Sequence, residues 1–225
     1  MRAEAQPPHR KWPGIVGAAA ISTALIVAVL LFGHSPIGPS KSADPSPAQS
    51  TPPTSETANP TGCLGGATRD AKMVLSARAR APHTTNGAIE SATAFVRWLN
   101  QYPYPTVGDI AAVQASALSS RAQTKDIAAF FATEPNLSGG LVPNDSPYNL
   151  STVPGVYYLE SASPNQVTTS IGTALVVDGA LSPTLKGSIT VTVSWETSGW
   201  KFVSSEGKRT TQDLYSIGRP FSSGC

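Results

Sequence analysis

Charged residues are scarce in this sequence, at 13% of 225 positions, which is about half of the usual share. The 16 basic residues nearly balance the 14 acidic ones, so the chain lacks the dense Lys/Arg surface that displaces counterions from nucleic acid. Contact with nucleic acid is therefore not expected. Histidine and cysteine are scarcer still, with three and two residues. Two distant cysteines and one histidine beyond the first 60 positions, His83, cannot supply a zinc-type ligand set, so neither a metal nor a cofactor is expected.

Sequence signatures of catalysis are also missing. The chain has no G-x-x-x-x-G-K-[ST] or G-x-G-x-x-G phosphate loop and no G-x-S-x-G nucleophile elbow. Its acidic residues stand singly, and most are expected at helix starts, turns and the wet faces of strands. Glu160, in an apolar strand segment, is the one carboxylate that is a candidate for a pocket, and His83 is better explained as a surface residue than as a base. We predict no catalytic residue, and the chain is not expected to be an enzyme.

One long segment carries no charge. Residues 15–32 (IVGAAAISTALIVAVLLF) span eighteen positions, which as a helix measure about 27 Å, close to the hydrocarbon thickness of a bilayer. Arg10 and Lys11 precede the segment, so the positive-inside bias keeps residues 1–14 in the cytoplasm and exports the chain beyond residue 32. A cleaved secretory signal is the alternative, but its apolar region is usually shorter and ends at a small-x-small site, whereas this one ends in LFGHSP. The sequence predicts a single-pass protein of the cell membrane with an extracytoplasmic C-terminal domain.

Residues 33–62 are rich in proline and polar residues, with seven prolines among thirty positions. Such a segment buries too little apolar surface to offset the entropy of ordering it, so it is predicted to be a disordered linker. A spacer that lets the domain reach a partner and a linker of no required length are both compatible with this composition.

The two cysteines flank the rest of the chain: Cys63 comes directly after the linker and Cys225 is the last residue. In an exported domain this arrangement favours one disulfide that joins the two ends of the fold. An intermolecular bridge and lipidation of Cys63 are the alternatives. Lipidation is disfavoured because the preceding Asn-Pro-Thr-Gly is not an apolar lipobox.

Residues 63–225 are predicted to form one α+β domain. Apolar residues at helical spacing predict three helices, one over residues 86–100, one starting at Thr106 and one starting near Ser120. Residues 72–81 are compatible with either a strand or a short helix. Alternation with period two then predicts four strands, at residues 156–161, 167–178, 186–196 and 200–205. Helices that precede an antiparallel meander are typical of helices packed on one face of a curved sheet.

This order of elements, with long strands ending in VSWETSGWKF, resembles the nuclear transport factor two-like cone fold. The phrase TNGAIESATAFVRWLN, joined to a membrane anchor and a Pro/Ser spacer, is similar to exported proteins of actinobacterial mobile elements. It is also similar to the bitopic scaffold subunits of conjugative and type IV secretion machines, the TcpC-like group among them. The resemblance covers residues 84–205. It implies a non-enzymatic structural or interaction subunit of an envelope assembly for conjugative DNA transfer, which docks onto protein partners or oligomerises outside the membrane.

Three aromatic residues cluster where the first predicted helix ends. Trp98, Tyr102 and Tyr104 stand beside two prolines and are candidates for a partner surface, with core packing as the alternative.

A second functional hypothesis is a binding module that holds a small apolar ligand or a cell-wall fragment in the pocket of the cone. A deep, open apolar pocket would favour this hypothesis, and a pocket filled by Phe95, Phe130 or Phe131 would argue against it.

Overall fold

The computed structural model of the protein describes residues 59–197 and 199–225. The predicted anchor at residues 15–32 and the predicted linker up to residue 58 lie outside the described residues. None of the helices in the described ranges is both long and apolar enough to cross a bilayer.

The described residues form an α+β domain with five helices and a curled antiparallel sheet, a half-barrel. The helices are α1 (Ala71–Arg80), α2 (Thr85–Leu99), α3 (Val107–Ala117), α4 (Ile127–Thr133) and α5 (Thr211–Ile217). The strands are β1 (Gln101–Tyr102), β2 (Tyr148–Ser163), β3 (Gln166–Val177), β4 (Ala180–Glu196), β5 (Gly199–Glu206) and β6 (Arg219–Pro220). Strands β1 to β5 lie side by side in sequence order, and β6 pairs with β2. The α+β class and the antiparallel meander are confirmed. The prediction of four strands is wrong, because the two-residue strands β1 and β6 add to β2–β5.

Side-chain caps start the helices that the sequence signals most clearly. Thr84 Oγ1 accepts a hydrogen bond from the Gly87 N–H (3.1 Å) at the start of α2. Thr106 Oγ1 accepts one from the Asp109 N–H (3.2 Å) at the start of α3. The Asp109 carboxylate also accepts the Ala71 N–H (3.0 Å), so the same residue joins the beginning of α1 to that of α3.

The start predicted near Ser120 is wrong, because α4 begins at Ile127 with Asp126 as its cap. The backbone between Ser119 and Gln123 bonds to the sheet instead: the Ser119 N–H donates to the Phe202 carbonyl (2.8 Å) and the Gln123 N–H to the Val203 carbonyl (3.0 Å). With Leu118 also forming a bridge to Phe202, this segment follows β5 as extended chain and a turn, and the helix begins only after it.

The prediction of three helices is also wrong, because α1 and α5 add to α2, α3 and α4. The ambiguous segment at residues 72–81 is helical, with Asp70 accepting the Met73 N–H (2.9 Å) at its start. Helix α5 has seven residues and one buried side chain, Leu214, so it carries no apolar periodicity that a sequence pattern could reveal.

The two faces of the sheet are covered differently. Helix α2 lies across the inner face and contacts β2 to β5. On this face Ile171 pairs with Ile189 and Thr173 with Gly187. Helix α5 packs on the outer face, where a Cβ at Gly172 would come within 2.9 Å of the Tyr215 ring and 3.2 Å of Leu214. The sheet is therefore sandwiched over part of its area, although the sequence predicts helices on one face only.

The two ends of the domain are tied together. Cys63 and Cys225 form a disulfide, which confirms the predicted pairing. Just before it, the Pro60 carbonyl accepts the Ser222 N–H (2.9 Å) and the Thr61 carbonyl accepts the Gly224 N–H (2.6 Å). The last four residues of the predicted linker, from Asn59 on, are therefore part of the folded domain.

Candidate functional site

A cleft of about 460 Å³ opens beside the inner face of the sheet. Its floor consists of residues from three strands, Leu150 of β2, Thr173 and Leu175 of β3, and Gly187 and Ile189 of β4. The loop between α4 and β2 forms one wall with Leu137, Ser138, Gly139 and Leu141. The end of β5 and the segment that leads into α5 form the other, with Ser205, Glu206, Gly207 and Thr211.

The cleft exists because β4 extends beyond its neighbour. Strand β5 ends at Glu206, opposite Thr190, whereas β4 continues back along β3 to Ala180. Gly187 adds space, since a Cβ at this position would have nothing nearer than the Thr173 hydroxyl at 3.8 Å.

The charged groups at the cleft leave its centre neutral. Lys186 Nζ lies 4.4 Å from the centroid of the Tyr215 ring, a cation–π contact on the outer face. Burial raises the pKa of Tyr215 to about 12, so this ring stays uncharged at neutral pH. Glu206 is exposed at the rim. The cleft therefore offers a ligand apolar surface, hydroxyl groups and strand backbone.

The space between the helices and the centre of the sheet is filled. Phe95 stacks on Phe202 with ring centroids 4.3 Å apart, and the Trp98 and Phe131 rings meet edge to face at 6.2 Å. The cavity left beside Phe95 and Phe130 has a volume of about 50 Å³. A drug-sized ligand needs several times this volume.

The three aromatic residues predicted as a partner surface differ in how far they are buried. Trp98 is 0% exposed and belongs to the core, as the alternative interpretation expected, because α2 is buried on nearly every side. Tyr102 and Tyr104 are half-buried, and their hydroxyls donate to the Asp145 carboxylate (3.0 Å) and the Glu134 carbonyl (2.9 Å). Of the three predicted residues, Tyr102 and Tyr104 can contribute to a surface and Trp98 cannot.

Glu160, the candidate pocket carboxylate, lies outside the cleft on the outer face. Arg209 holds it through two guanidinium nitrogens, the Nη2 contact measuring 2.8 Å, and the Ser170 hydroxyl donates to it at 2.6 Å. The hydrogen bond from Arg209 holds the pKa of this carboxyl below its usual range. Glu160 therefore fixes the segment between β5 and α5.

His83 is exposed, as expected of a surface histidine. Its ring stacks on Trp195 with centroids 4.1 Å apart, and its Nε2 lies 2.8 Å from the Pro164 carbonyl oxygen.

Sequence reasoning missed two buried charges on α2. The Glu90 carboxylate accepts the N–H groups of Thr61, Gly62 (3.1 Å) and Leu64 (3.4 Å) and the Thr61 hydroxyl (2.7 Å). Seven residues further on, Arg97 donates two hydrogen bonds to the Gly66 carbonyl (3.1 and 3.2 Å). Burial, assisted by the nearby charge of Arg69, lowers the pKa of Arg97 to about 10.

The positions of Glu90 and Arg97 could have revealed them. Residues seven apart lie on the same side of a helix. Both charges therefore stand on one line of an otherwise uncharged helix.

Among the described residues, no three His, Cys, Asp or Glu side chains come together in a way that could hold a metal ion.

No family model, curated protein or solved structure matches the chain. The likeness to nuclear transport factor two-like and TcpC-like proteins stays a prediction.

Proposed function

We propose that this chain is a membrane-anchored, non-enzymatic interaction subunit of an envelope assembly that serves conjugative DNA transfer. Residues 1–14 lie in the cytoplasm, residues 15–32 cross the cell membrane once, and the linker holds the domain on the outer side. There the domain docks onto protein partners or further copies of the chain.

The Cys63–Cys225 disulfide and the uncharged segment support the location. Disulfides persist in oxidising compartments outside the cytoplasm, and the eighteen uncharged residues that come after Arg10 and Lys11 favour an anchor with its N-terminus inside.

The observation that carries an interaction function is the contrast between a filled interior and an open cleft. Aromatic rings leave an internal cavity of about 50 Å³ between α2, α4 and β5. The surface cleft of about 460 Å³ stays open where β4 extends past the end of β5. A surface cleft along a strand edge suits a macromolecular segment better than an enclosed metabolite.

The resemblance in element order and in the anchor, spacer and domain layout supports the finer parts of the proposal. These are the nuclear transport factor two-like cone and the role in conjugation.

A binding module for a small ligand is the second candidate. The volume of the cleft favours it, since about 300–1,000 Å³ is typical of ligand pockets. The hydroxyl groups and strand backbone of the lining fit a polar cell-wall fragment better than an apolar ligand.

Photocrosslinking in the native host tests the interaction function. We would place a benzophenone amino acid at Leu141 on the cleft wall, at Tyr102, and at the exposed Lys72 of α1 as the control. The proposal predicts a discrete adduct with an envelope protein, or with a second copy of the chain, from Leu141 or Tyr102 and none from Lys72. Recovery of the monomer alone from every position would contradict it, and a non-protein ligand seen by native mass spectrometry would support the second candidate.

A further inference from the structure

We infer that the cleft binds an extended peptide segment of a partner protein, which adds as a strand to the free edge of β4 at Lys186–Ile189. This inference rests on the proposed interaction function and specifies how the partner is held.

The edge offers unpaired backbone groups. Lys186–Ile189 pairs with β3 on one side, but within the described ranges no strand lies on the other, because β5 ends opposite Thr190. In an antiparallel strand alternate residues direct both N–H and C=O to the same neighbour. Two of these four residues therefore direct a donor and an acceptor into the cleft.

The open stretch is limited at its N-terminal end. The pairing of β4 with β3 is irregular between Leu181 and Lys186, Pro183 lacks an N–H, and the Ser182 hydroxyl accepts the Leu185 N–H (3.0 Å). Prolines and bulges are usual guards of exposed strand edges. The next four residues contain no proline and no register shift, and they span about 13 Å, the length of a short peptide strand. On the outer side of this stretch the Ser188 hydroxyl donates to the Arg209 carbonyl (2.8 Å).

Gly187 stands in the middle of this stretch. A glycine inside a strand often marks a place where another backbone approaches closely. A Cβ at Gly187 would meet only Thr173 Oγ1 at 3.8 Å and Leu175 Cδ1 at 3.9 Å, so local packing does not require the glycine. Its missing side chain leaves room on the inner face for the side chains of an incoming strand.

The residues that line the cleft determine which side chains a bound peptide segment should carry. Leu175 and Ile189 on the floor and Leu141, 41% exposed on the opposite wall, suit small apolar side chains at alternate positions. The intervening side chains would face the rim, where the Glu206 carboxylate and the Lys186 ammonium both lie, which favours uncharged hydroxyl residues there.

Two other occupants fit less well. The chain's own residues 33–58 contain six prolines, each without an N–H, and no apolar alternation. A second copy would bring its own flanking loop and the segment after β5 against a cleft that holds a few residues of one strand.

The test uses the full-length chain in detergent micelles and a fluorescein-labelled probe peptide, KTVTVTK, blocked at both ends. Binding is measured by fluorescence anisotropy, and hydrogen exchange with mass spectrometry maps the protected amides. We expect saturable binding with protection confined to residues 186–189 and the adjacent cleft.

Two N-methylated peptides test the strand pairing directly. One is methylated on its valine amides and the other on its threonine amides, and only one of these sets can face β4. We expect one form to bind at least tenfold more weakly and the other to retain binding. Equal affinity of both forms with the unmodified peptide would overturn the inference.

A matched pair of variants tests whether the peptide binds in the cleft. Gly187→Leu fills the cleft and is expected to weaken binding at least tenfold, whereas Gly108→Leu adds the same side chain at an exposed turn of α3 and should leave binding unchanged. No binding up to 1 mM peptide, protection elsewhere, or protection of residues 186–189 by self-association without peptide would each refute the inference.

Failure here is distinguishable from failure of the proposed function. A partner crosslinked from Tyr102 with no peptide binding at β4 would remove the strand edge as the docking site and leave the interaction function standing. Absence of crosslinks from every position would remove the function itself.

Discussion

At the scale of single residues, the buried charges Glu90 and Arg97 bind backbone groups rather than each other. Both hold the segment from Thr61 to Gly66, which contains the disulfide cysteine Cys63. Buried charges are tolerated when hydrogen bonds replace the lost water. These two residues therefore determine where the N-terminal end of the domain lies against α2.

Replacing Glu90 by glutamine tests this role. Glu90→Gln keeps the shape of the side chain but loses the negative charge that accepts three N–H groups, so we expect the free energy of unfolding to fall by about 1.5–3 kcal/mol. Urea unfolding of the full-length chain monitored by tryptophan fluorescence measures this change. Glu134→Gln, at an exposed residue, is the control and should change the stability by less than about 0.5 kcal/mol. Equal stability of the two variants would show that the contact contributes nothing.

Glu160 gives a prediction about pH. Its folded-state pKa lies below the ordinary value because Arg209 donates to the ionised carboxylate. Its contribution to stability is therefore fully present above the pKa of the unfolded chain, about 4.3, and is lost as the pH falls through the lower folded pKa.

We expect Glu160→Gln to be less stable than the parent at pH 7, and the difference between the two proteins to shrink below about pH 4. Melting temperatures between pH 3 and pH 7 measure this, again with Glu134→Gln as the control. A difference that stays constant over the whole range would contradict the assignment.

At the scale of helices and strands, prediction from the sequence succeeds where an element is determined by residues that are close to it in the sequence. The capped helix start at Thr106 and the strands predicted at residues 167–178 and 186–196 hold in the structure, because each depends on neighbours within a few residues. The start of α4 is mispredicted because backbone N–H groups near Ser119 donate to carbonyls of β5, which lies some eighty residues away in the sequence. Helix α5 is missed because its position depends on one side chain, Leu214, against the outer face.

The cleft could be anticipated only in part. Gly187 inside a strand of alternating residues is a visible signal of close approach. The free edge is not visible in the sequence, since it depends on where β5 stops pairing with β4. The division of the aromatic cluster between core and surface is not visible either, because α2 is covered on nearly all sides, which a one-sided apolar pattern cannot reveal.

The docking of α5 can be tested at Gly172. The added methyl in Gly172→Ala would lie 2.7 Å from Val156 Cγ2 and 2.9 Å from the Tyr215 ring, so Val156 of β2 and Tyr215 of α5 must move apart to admit it. We expect a loss of about 1–3 kcal/mol and faster hydrogen exchange in α5. Gly108→Ala, with open space in the first turn of α3, is the matched control and should stabilise by about 0.4–1 kcal/mol. Unchanged exchange in α5 would contradict this packing.

At the scale of the whole molecule, the disulfide connects residues 162 positions apart and so constrains the entire domain. In the chain-entropy model a loop of this length stabilises the fold by up to about 5 kcal/mol. We expect the double variant Cys63→Ser/Cys225→Ser to lose about 2–5 kcal/mol. Urea unfolding measures the loss. Dithiothreitol should lower the stability of the parent to the same level and leave the double variant unchanged, and equal stability of the oxidised parent and the variant would refute the role.

The account as a whole depends on the domain lying outside the cell on a chain that stays anchored through residues 15–32. The most direct measurement is protease treatment of intact, wall-stripped cells of the native host, with immunodetection of an N-terminal tag and of the domain. The account predicts that external protease cuts within residues 33–58 and releases a disulfide-linked domain, while the tag stays with the cells. A chain that resists cleavage until the cells are lysed, or a domain already free in the untreated medium, would contradict it.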